Sequence, residues 1–211
     1  GSAGQLVNLV VGFFIGLSSG AAVVISQFWG AKDERNVKDG VHTAYGFSIA
    51  ASLLITLLGI LTAPLLLKWM NTPEELMAGS LLYLRIYYSG ILFVFLFNTG
   101  SSILRASGDS KRPLYYLIVC CILNIVLDVF FVLVCKLGIA GVSIATVLAQ
   151  AASAFLVTRA LMRSEGGLKL RLGSIRFAKK ILKSQLYIGI PTGLQSTMYS
   201  ISNIIIQSAI N

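Results

Sequence analysis

The chain has 211 residues, of which 56% are hydrophobic and 12% are charged, and its mean hydropathy is +0.83. This composition lies outside the range of soluble globular domains and predicts a membrane protein. The net charge of +9 is also typical of nucleic-acid-binding proteins, but the basic residues lie in the loops between apolar runs, so no nucleic-acid partner is expected.

Six apolar runs are long enough to cross a bilayer as helices, which takes about 20 residues. They cover approximately residues 5–29, 40–67, 76–105, 113–135, 137–158 and 184–211. If span one runs inward, 14 of the 17 lysine and arginine residues lie on the inner side, as the positive-inside rule requires. The sequence therefore predicts an all-α, polytopic transmembrane bundle of six spans that contacts the lipid bilayer.

Span one carries Gly12, Gly16 and Gly20 at four-residue spacing, which places them on one helix face. We expect this face to pack closely against another helix. His42, the one histidine, lies at the inner end of span two beside a charged loop. We expect it to titrate at the membrane interface rather than to relay protons.

Two turns between spans have recognisable sequences. On the outer side, residues 71–75 read NTPEE, which predicts a turn followed by an acidic first helical turn. On the inner side, Gly108 and Asp109 predict a tight turn, and Pro113 suits the first turn of span four.

Span four contains Asp128, the one acidic residue inside an apolar run. A carboxylate at membrane depth is costly, and it typically faces a cavity, a partner or an ion path. At about 1.5 Å per residue, Asp128 lies roughly 12 Å from Lys136, in the outer half of the bilayer. Asn124 lies four positions earlier on the same helix face, so both residues are candidate site residues.

Span five supplies the third candidate, Thr146. The link after span four is short, so span five must pack antiparallel beside it, with Thr146 near the depth of Asp128. Threonine in a membrane helix often bonds only to its own backbone. The neighbouring Asp128 is the reason to include Thr146.

Residues 164–183 form the longest inner loop. Ile175, Ala178 and Ile181 recur there at helical spacing among cationic residues, which predicts an interfacial amphipathic helix. In span six, Pro191 and Gly193 predict a kink. The polar residues that follow indicate that part of this span faces a cavity or other helices.

Five segments together resemble the multidrug and toxin extrusion (MATE) family of transporters, part of the MOP flippase superfamily. In chain order they are GLSSGAAVVISQFWGAKD, LRASGDSKRP, NIVLD, LGIAGVSIATVLAQ and IGIPTGLQ. The resemblance implies a fold of twelve helices in two lobes, of which this chain is a fragment. Residues 1–163 would be helices 2 to 6 of the first lobe, residues 164–183 the cytoplasmic linker between lobes, and residues 184–211 the first helix of the second lobe.

The resemblance also implies a cation site. Members that couple transport through the first lobe use an acid on helix 1, an Asn and an Asp on helix 5 and a Thr on helix 6; the last three match Asn124, Asp128 and Thr146. The helix-1 acid would precede Gly1, and some members carry a further acid in helix 7 that residues 186–211 lack. The coupling ion is H⁺ or Na⁺, since low dielectric favours a protonated carboxylate and hard oxygen ligands suit Na⁺. No other metal and no cofactor is expected.

The function this implies is a cation-coupled antiporter in the plasma membrane that exports small amphipathic or cationic compounds, completed by the remainder of the same transporter. A flippase for a lipid-linked sugar is an alternative, although an anionic substrate would need basic residues in the inner halves of the spans. A non-transporting membrane fragment is another, but it leaves Asp128 unexplained. An enzyme is not expected. An intramembrane aspartyl protease needs two acids at membrane depth, and the sequence offers only Asp128.

Overall fold

The computed structural model describes the backbone of residues 2–210, with the side chains of residues 2, 3, 6, 204 and 207–210 left aside. Gly1 and Asn211, at the ends of the predicted first and last segments, lie outside the described residues. Within residues 2–210 the chain forms an all-α bundle without strands, which confirms the predicted fold class. Its α-helices are α1 Ser2–Gly30, α2 Glu34–Trp69, α3 Glu74–Ser89, α4 Ile91–Ala106, α5 Lys111–Val129, α6 Ile139–Met162 and α7 Lys179–Ile210.

Four of these helices are long and apolar enough to span a membrane: α1, α2, α5 with its C-terminal extension, and α6. Helices α3 and α4, a pair bent by 47°, make a fifth candidate span if the pair crosses the membrane as one unit. Helix α7, the predicted sixth span, has 32 residues but is more polar than α1, α2, α5 and α6.

The bend between α3 and α4 lies at Gly90, inside the predicted span 76–105. A Cβ atom on Gly90 would lie 2.7 Å from Cγ2 of Val147, so the glycine allows α6 to approach the bend. Gly90 thus serves the packing of α6, which the local sequence alone does not reveal.

The predicted glycine face of α1 packs against α7, confirming the packing interpretation. A Cβ atom on Gly16 would lie 2.5 Å from the Cα atom of Gly193, and one on Gly20 would meet the backbone of Gly189. The two helices therefore touch backbone to backbone along this face. Helix α7 continues through Pro191 as one helix. The glycines on the facing sides of α1 and α7 allow the two helices to approach closely.

The predicted turns are both present. Helix α3 begins with Glu74 and Glu75 in its first turn. At the inner turn Gly108 has φ +91°, a conformation that glycine adopts without strain. Asp109 Oδ1 accepts hydrogen bonds from the backbone N–H groups of Lys111 and Arg112 at 3.2 and 3.1 Å. Burial alone would raise the pKa of Asp109, but these bonds and the side chain and charge of Arg112 lower the pKa on balance.

The segment between α6 and α7 differs from the prediction. It contains two 3₁₀ turns, Gly166–Leu168 and Leu172–Ser174, and residues 179–183 are the start of α7 rather than part of a separate amphipathic helix. Leu168 and Leu170 are buried in the same core cluster as Tyr45 of α2. Because these leucines are anchored in the bundle, this segment, residues 163–178, lies against the inner ends of the helices; we call it the docked linker.

His42, at the inner end of α2, is buried by the protein itself, with 1% of its surface exposed. Its Nδ1 atom lies 2.7 Å from the carbonyl oxygen of Lys38, so Nδ1 must donate. Its Nε2 atom accepts the backbone N–H of Arg171 at 3.1 Å. His42 therefore joins α2 to the docked linker, a role invisible in the sequence because Arg171 lies 129 residues away.

Candidate functional site

The three predicted site residues lie on the antiparallel pair α5 and α6, near its outer end. Between the helices the chain passes through a π-helical turn, Phe130–Val134, and then reverses direction. Lys136 and Gly138 take positive φ values of +54° and +57° in this reversal. The predicted short outer link is therefore present, and it sets α6 directly beside α5.

Asn124 and Thr146 are brought together. The amide Nδ2 of Asn124 donates to Oγ1 of Thr146 at 3.5 Å, the long limit of a hydrogen bond. Thr146 Oγ1 in turn donates to the carbonyl oxygen of Val142 one turn earlier, at 3.0 Å. The contact across the two helices is thus weak, and Thr146 is also held by its own helix.

Asp128 lies one turn beyond Asn124 on α5 and is half-buried. Its Oδ1 atom is buried and has no hydrogen-bond partner among the residues that the structure describes. Buried polar atoms in proteins are nearly always hydrogen-bonded, so an exception needs an explanation. The structure places Asp128 on the same helix as Asn124 but gives it no bond to Asn124 or Thr146.

The π-helical turn begins two residues after Asp128 and was not predicted. In it the N–H of Cys135 donates to the carbonyl oxygen of Phe130 at 3.1 Å, five residues back. Such single π turns often lie at functional sites, where they alter the direction of the helix. The apolar sequence of residues 130–134 contains no signal that would have revealed it.

The side-chain oxygen atoms of Asp128, Asn124 and Thr146 are of the type that a hard cation prefers as ligands. Asp128 supplies a buried carboxylate oxygen without a partner, and Asn124 and Thr146 add amide and hydroxyl oxygens, the ligand types that Na⁺ prefers. A proton could instead bind Asp128 directly. Among the described residues, no group of three or more His, Cys, Asp and Glu side chains could hold a metal ion, so no transition-metal centre is visible in that part of the chain.

The other face of α5 is apolar and exposed at the surface of the chain. Ile125 is 64% exposed and Val129 is 52% exposed. Such a face suits contact with lipid or with further transmembrane helices. Asn124 and Asp128 are more buried than these two residues, as expected if one side of α5 lines a site and another meets the hydrocarbon.

With this geometry in view, comparison with known proteins decides the family. The family model MatE matches residues 1–130 of the chain. The chain belongs to the MatE family. This chain is a multi-pass protein of the plasma membrane.

Several similar curated proteins are named as probable multidrug resistance proteins. The chain is 32% identical to the probable multidrug resistance protein YoeA of Bacillus subtilis over 98% of its own length and 46% of that protein. It is 25% identical to the probable multidrug resistance protein NorM of Thermotoga maritima over 95% of its length and 44% of that protein. The MatE chain thus spans about half the length of the curated relatives it matches.

Solved structures agree on the fold. An inward-facing multidrug resistance MATE transporter of the MOP superfamily superimposes with a TM-score of 0.87 at 24% identity, covering 93% of this chain and 45% of that one. An outward-facing structure superimposes with a TM-score of 0.88 at 24% identity, covering 98% and 47%. The MatE chain therefore has the fold of about half of such a transporter.

Proposed function

We propose that this MatE chain is part of a cation-coupled antiporter that exports small amphipathic or cationic compounds. The observation that carries the proposal is the buried oxygen of Asp128, which has no partner within the described residues although it lies in an apolar helix. An uncompensated carboxylate at that depth is costly, and a bound cation would offset the cost. The names of the relatives support multidrug export as the kind of transport.

In this proposal Asp128 binds the cation, and Asn124 and Thr146 supply oxygens beside it. If the ion is Na⁺, the amide and hydroxyl oxygens complete part of its coordination. If the ion is H⁺, it neutralises the carboxylate, and Asn124 and Thr146 keep the site polar. Further ligands would come from helices of the same transporter that this chain does not contain.

Coupling follows from unequal binding of the cation in two states of the protein. A ligand shifts a conformational equilibrium only by its difference in affinity for the two states. Shifting it from 1:99 to 99:1 takes about a 10⁴-fold difference. We assign the two moving units to residues 1–163 and to the lobe that begins with residues 184–211, joined by the linker 164–183.

Replacing Asp128 by Asn in the full-length protein tests the proposal. The variant keeps the shape and polarity of the side chain but cannot be protonated to neutrality or bind Na⁺ as a charge. We expect dye efflux driven by an imposed H⁺ or Na⁺ gradient to be lost. Glu75→Gln is the control, because Glu75 is an exposed acid at the start of α3. Gradient-driven efflux that persists in Asp128→Asn would overturn the proposal.

A further inference from the structure

A second polar site lies away from Asp128, inside the bundle between α1, α2, α4 and α7. Ser18 of α1, Ser48 of α2, Thr99 of α4 and Gln185 of α7 line a small cavity whose remaining walls are apolar. The volume in which the centre of a water-sized molecule can lie is about 20 Å³. This volume is enough for one water molecule and too small for an organic substrate.

Ser18 contributes a buried hydroxyl group to the lining of the cavity. The residue is 5% exposed, and its buried Oγ atom has no hydrogen bond to any residue the structure describes. Serines in helices usually bond to a carbonyl of their own helix, as Ser19 does with Ile15 at 3.1 Å. Ser18 does not, so its hydroxyl is available to a molecule in the cavity.

The other polar groups provide complementary atoms. The hydroxyls of Ser48 and Thr99 bond to each other. Each of the two hydroxyl groups carries one proton, and the bond between them uses one of these two protons. The other hydroxyl proton can therefore be donated to a further partner. Gln185 Nε2 donates to the carbonyl oxygen of Gly40 at 3.1 Å, which leaves its amide oxygen as an acceptor. Donors and acceptors for a water molecule are therefore both present.

We propose that Ser18, Ser48, Thr99 and Gln185 hold one internal water molecule that joins α7 to α1, α2 and α4. A water molecule fits better than a cation, because no charged side chain is found among the described residues that line the cavity. A buried water commonly makes about three hydrogen bonds to groups that would otherwise lack partners. Ser18 is such a group.

The position of this water gives it a mechanical consequence. Helix α7 follows the docked linker, and Gln185 lies six residues from its start. The water and the bond from Gln185 to Gly40 would together fasten α7 to α2 near the inner side of the bundle. If α7 begins the second lobe, which rests on the proposed function, they fasten the two lobes to each other.

Thermal unfolding of the full-length Ser18→Ala variant tests the hydration site by the sign of its effect. In a hydrated cavity alanine removes a partner of the water, and we expect the unfolding midpoint to fall by about 2 °C relative to Ser19→Ala. In a dry cavity alanine removes an unpaired hydroxyl, and the midpoint rises or stays level. Ser19→Ala is a matched control, because it makes the same change one residue away, where the hydroxyl bonds to its own helix.

A crystal structure of the unmodified full-length protein, at a resolution that shows ordered water, gives a second readout that does not depend on the variant folding. We expect a water peak within hydrogen-bond distance of Ser18 Oγ. An empty cavity, or a midpoint for Ser18→Ala that is equal to or above that of Ser19→Ala, would overturn the proposal. Neither readout depends on cation coupling, so a failure here is distinct from a failure of the antiport proposal.

Discussion

The docked linker and the Asp128 site are two polar regions of one apolar bundle, and they differ in how their polar atoms are paired. At the linker, both ring nitrogens of His42 are bonded, and Thr43 Oγ1 accepts the N–H of Ala178 at 3.1 Å. At the outer site, the oxygen of Asp128 lacks a partner among the described residues, and Asn124 reaches Thr146 only at 3.5 Å.

This difference separates two uses of polar residues. Paired groups stabilise the fold, because unfolding breaks bonds that the protein itself completes. Unpaired buried groups weaken the fold and remain available to a ligand, which is a common feature of functional sites. Substitutions of the α2 residues that bond to the docked linker should therefore lower stability. Substitutions at the outer site should lower transport with little change in stability.

The largest stability effect is expected for His42→Ala. The change leaves the N–H of Arg171 and the carbonyl of Lys38 without their side-chain partner and creates a cavity in a buried region. We expect the free energy of unfolding to fall by about 3 kcal/mol. Chemical denaturation measures it, with Thr62→Ala on the same helix as the control, since the Thr62 hydroxyl bonds to the carbonyl oxygen of Leu58 in its own helix. Equal effects of the two changes would contradict the stabilising role of the His42 hydrogen bonds.

The same substitution made in both regions sharpens the comparison. Thr43→Val leaves the N–H of Ala178 unpaired and should cost about 1 to 2 kcal/mol of stability. Thr146→Val loses a weak contact and a bond to its own helix, and should cost less than about 1 kcal/mol. If the coupling ion is Na⁺, Thr146→Val should also raise the Na⁺ concentration for half-maximal efflux about tenfold, the value of roughly 1.4 kcal/mol in binding.

Denaturation and efflux assays on the two threonine variants check this pair. A stability loss that is larger for Thr146→Val than for Thr43→Val would contradict the assignment of the two regions.

The smallest effect is expected for Asp39→Asn at the edge of the linker. Asp39 pairs with Arg176 at 2.5 Å, but the Arg176 side chain is 64% exposed. Solvent screens such a pair, so we expect a loss between about 0 and 1 kcal/mol, decreasing as salt is added. Denaturation at low and high ionic strength measures it. A loss as large as that of His42→Ala would show that charge rather than the buried hydrogen bonds holds the linker.

The sequence could predict features that depend on helical periodicity and short links. Asn124 and Asp128 share a face because they are four residues apart, and Thr146 comes near because the link between α5 and α6 is short. The contact of Gly16 with α7 followed from glycine spacing, although its partner helix did not. The turn at Gly108 and Asp109 followed from residues that favour turns.

Features that depend on distant residues could not be predicted in this way. The hydrogen bond to Nε2 of His42 comes from Arg171, and the position of the docked linker depends on Leu168 and Leu170 reaching the core beside Tyr45. The bend at Gly90 depends on Val147 of α6. In each case the local sequence is compatible with more than one structure, and tertiary packing selects between them.

Asp128, whose Oδ1 atom has no hydrogen-bond partner within the described residues, is proposed to bind the coupling cation. Direct measurement of cation binding to the purified full-length protein tests it, by radioactive Na⁺ at neutral pH and by proton uptake in unbuffered solution. We expect the unmodified protein to bind one more cation of one kind than Asp128→Asn does, while Glu75→Gln matches the unmodified protein. If the unmodified protein and Asp128→Asn bind the same amount of Na⁺ and also the same number of protons, the claim is contradicted.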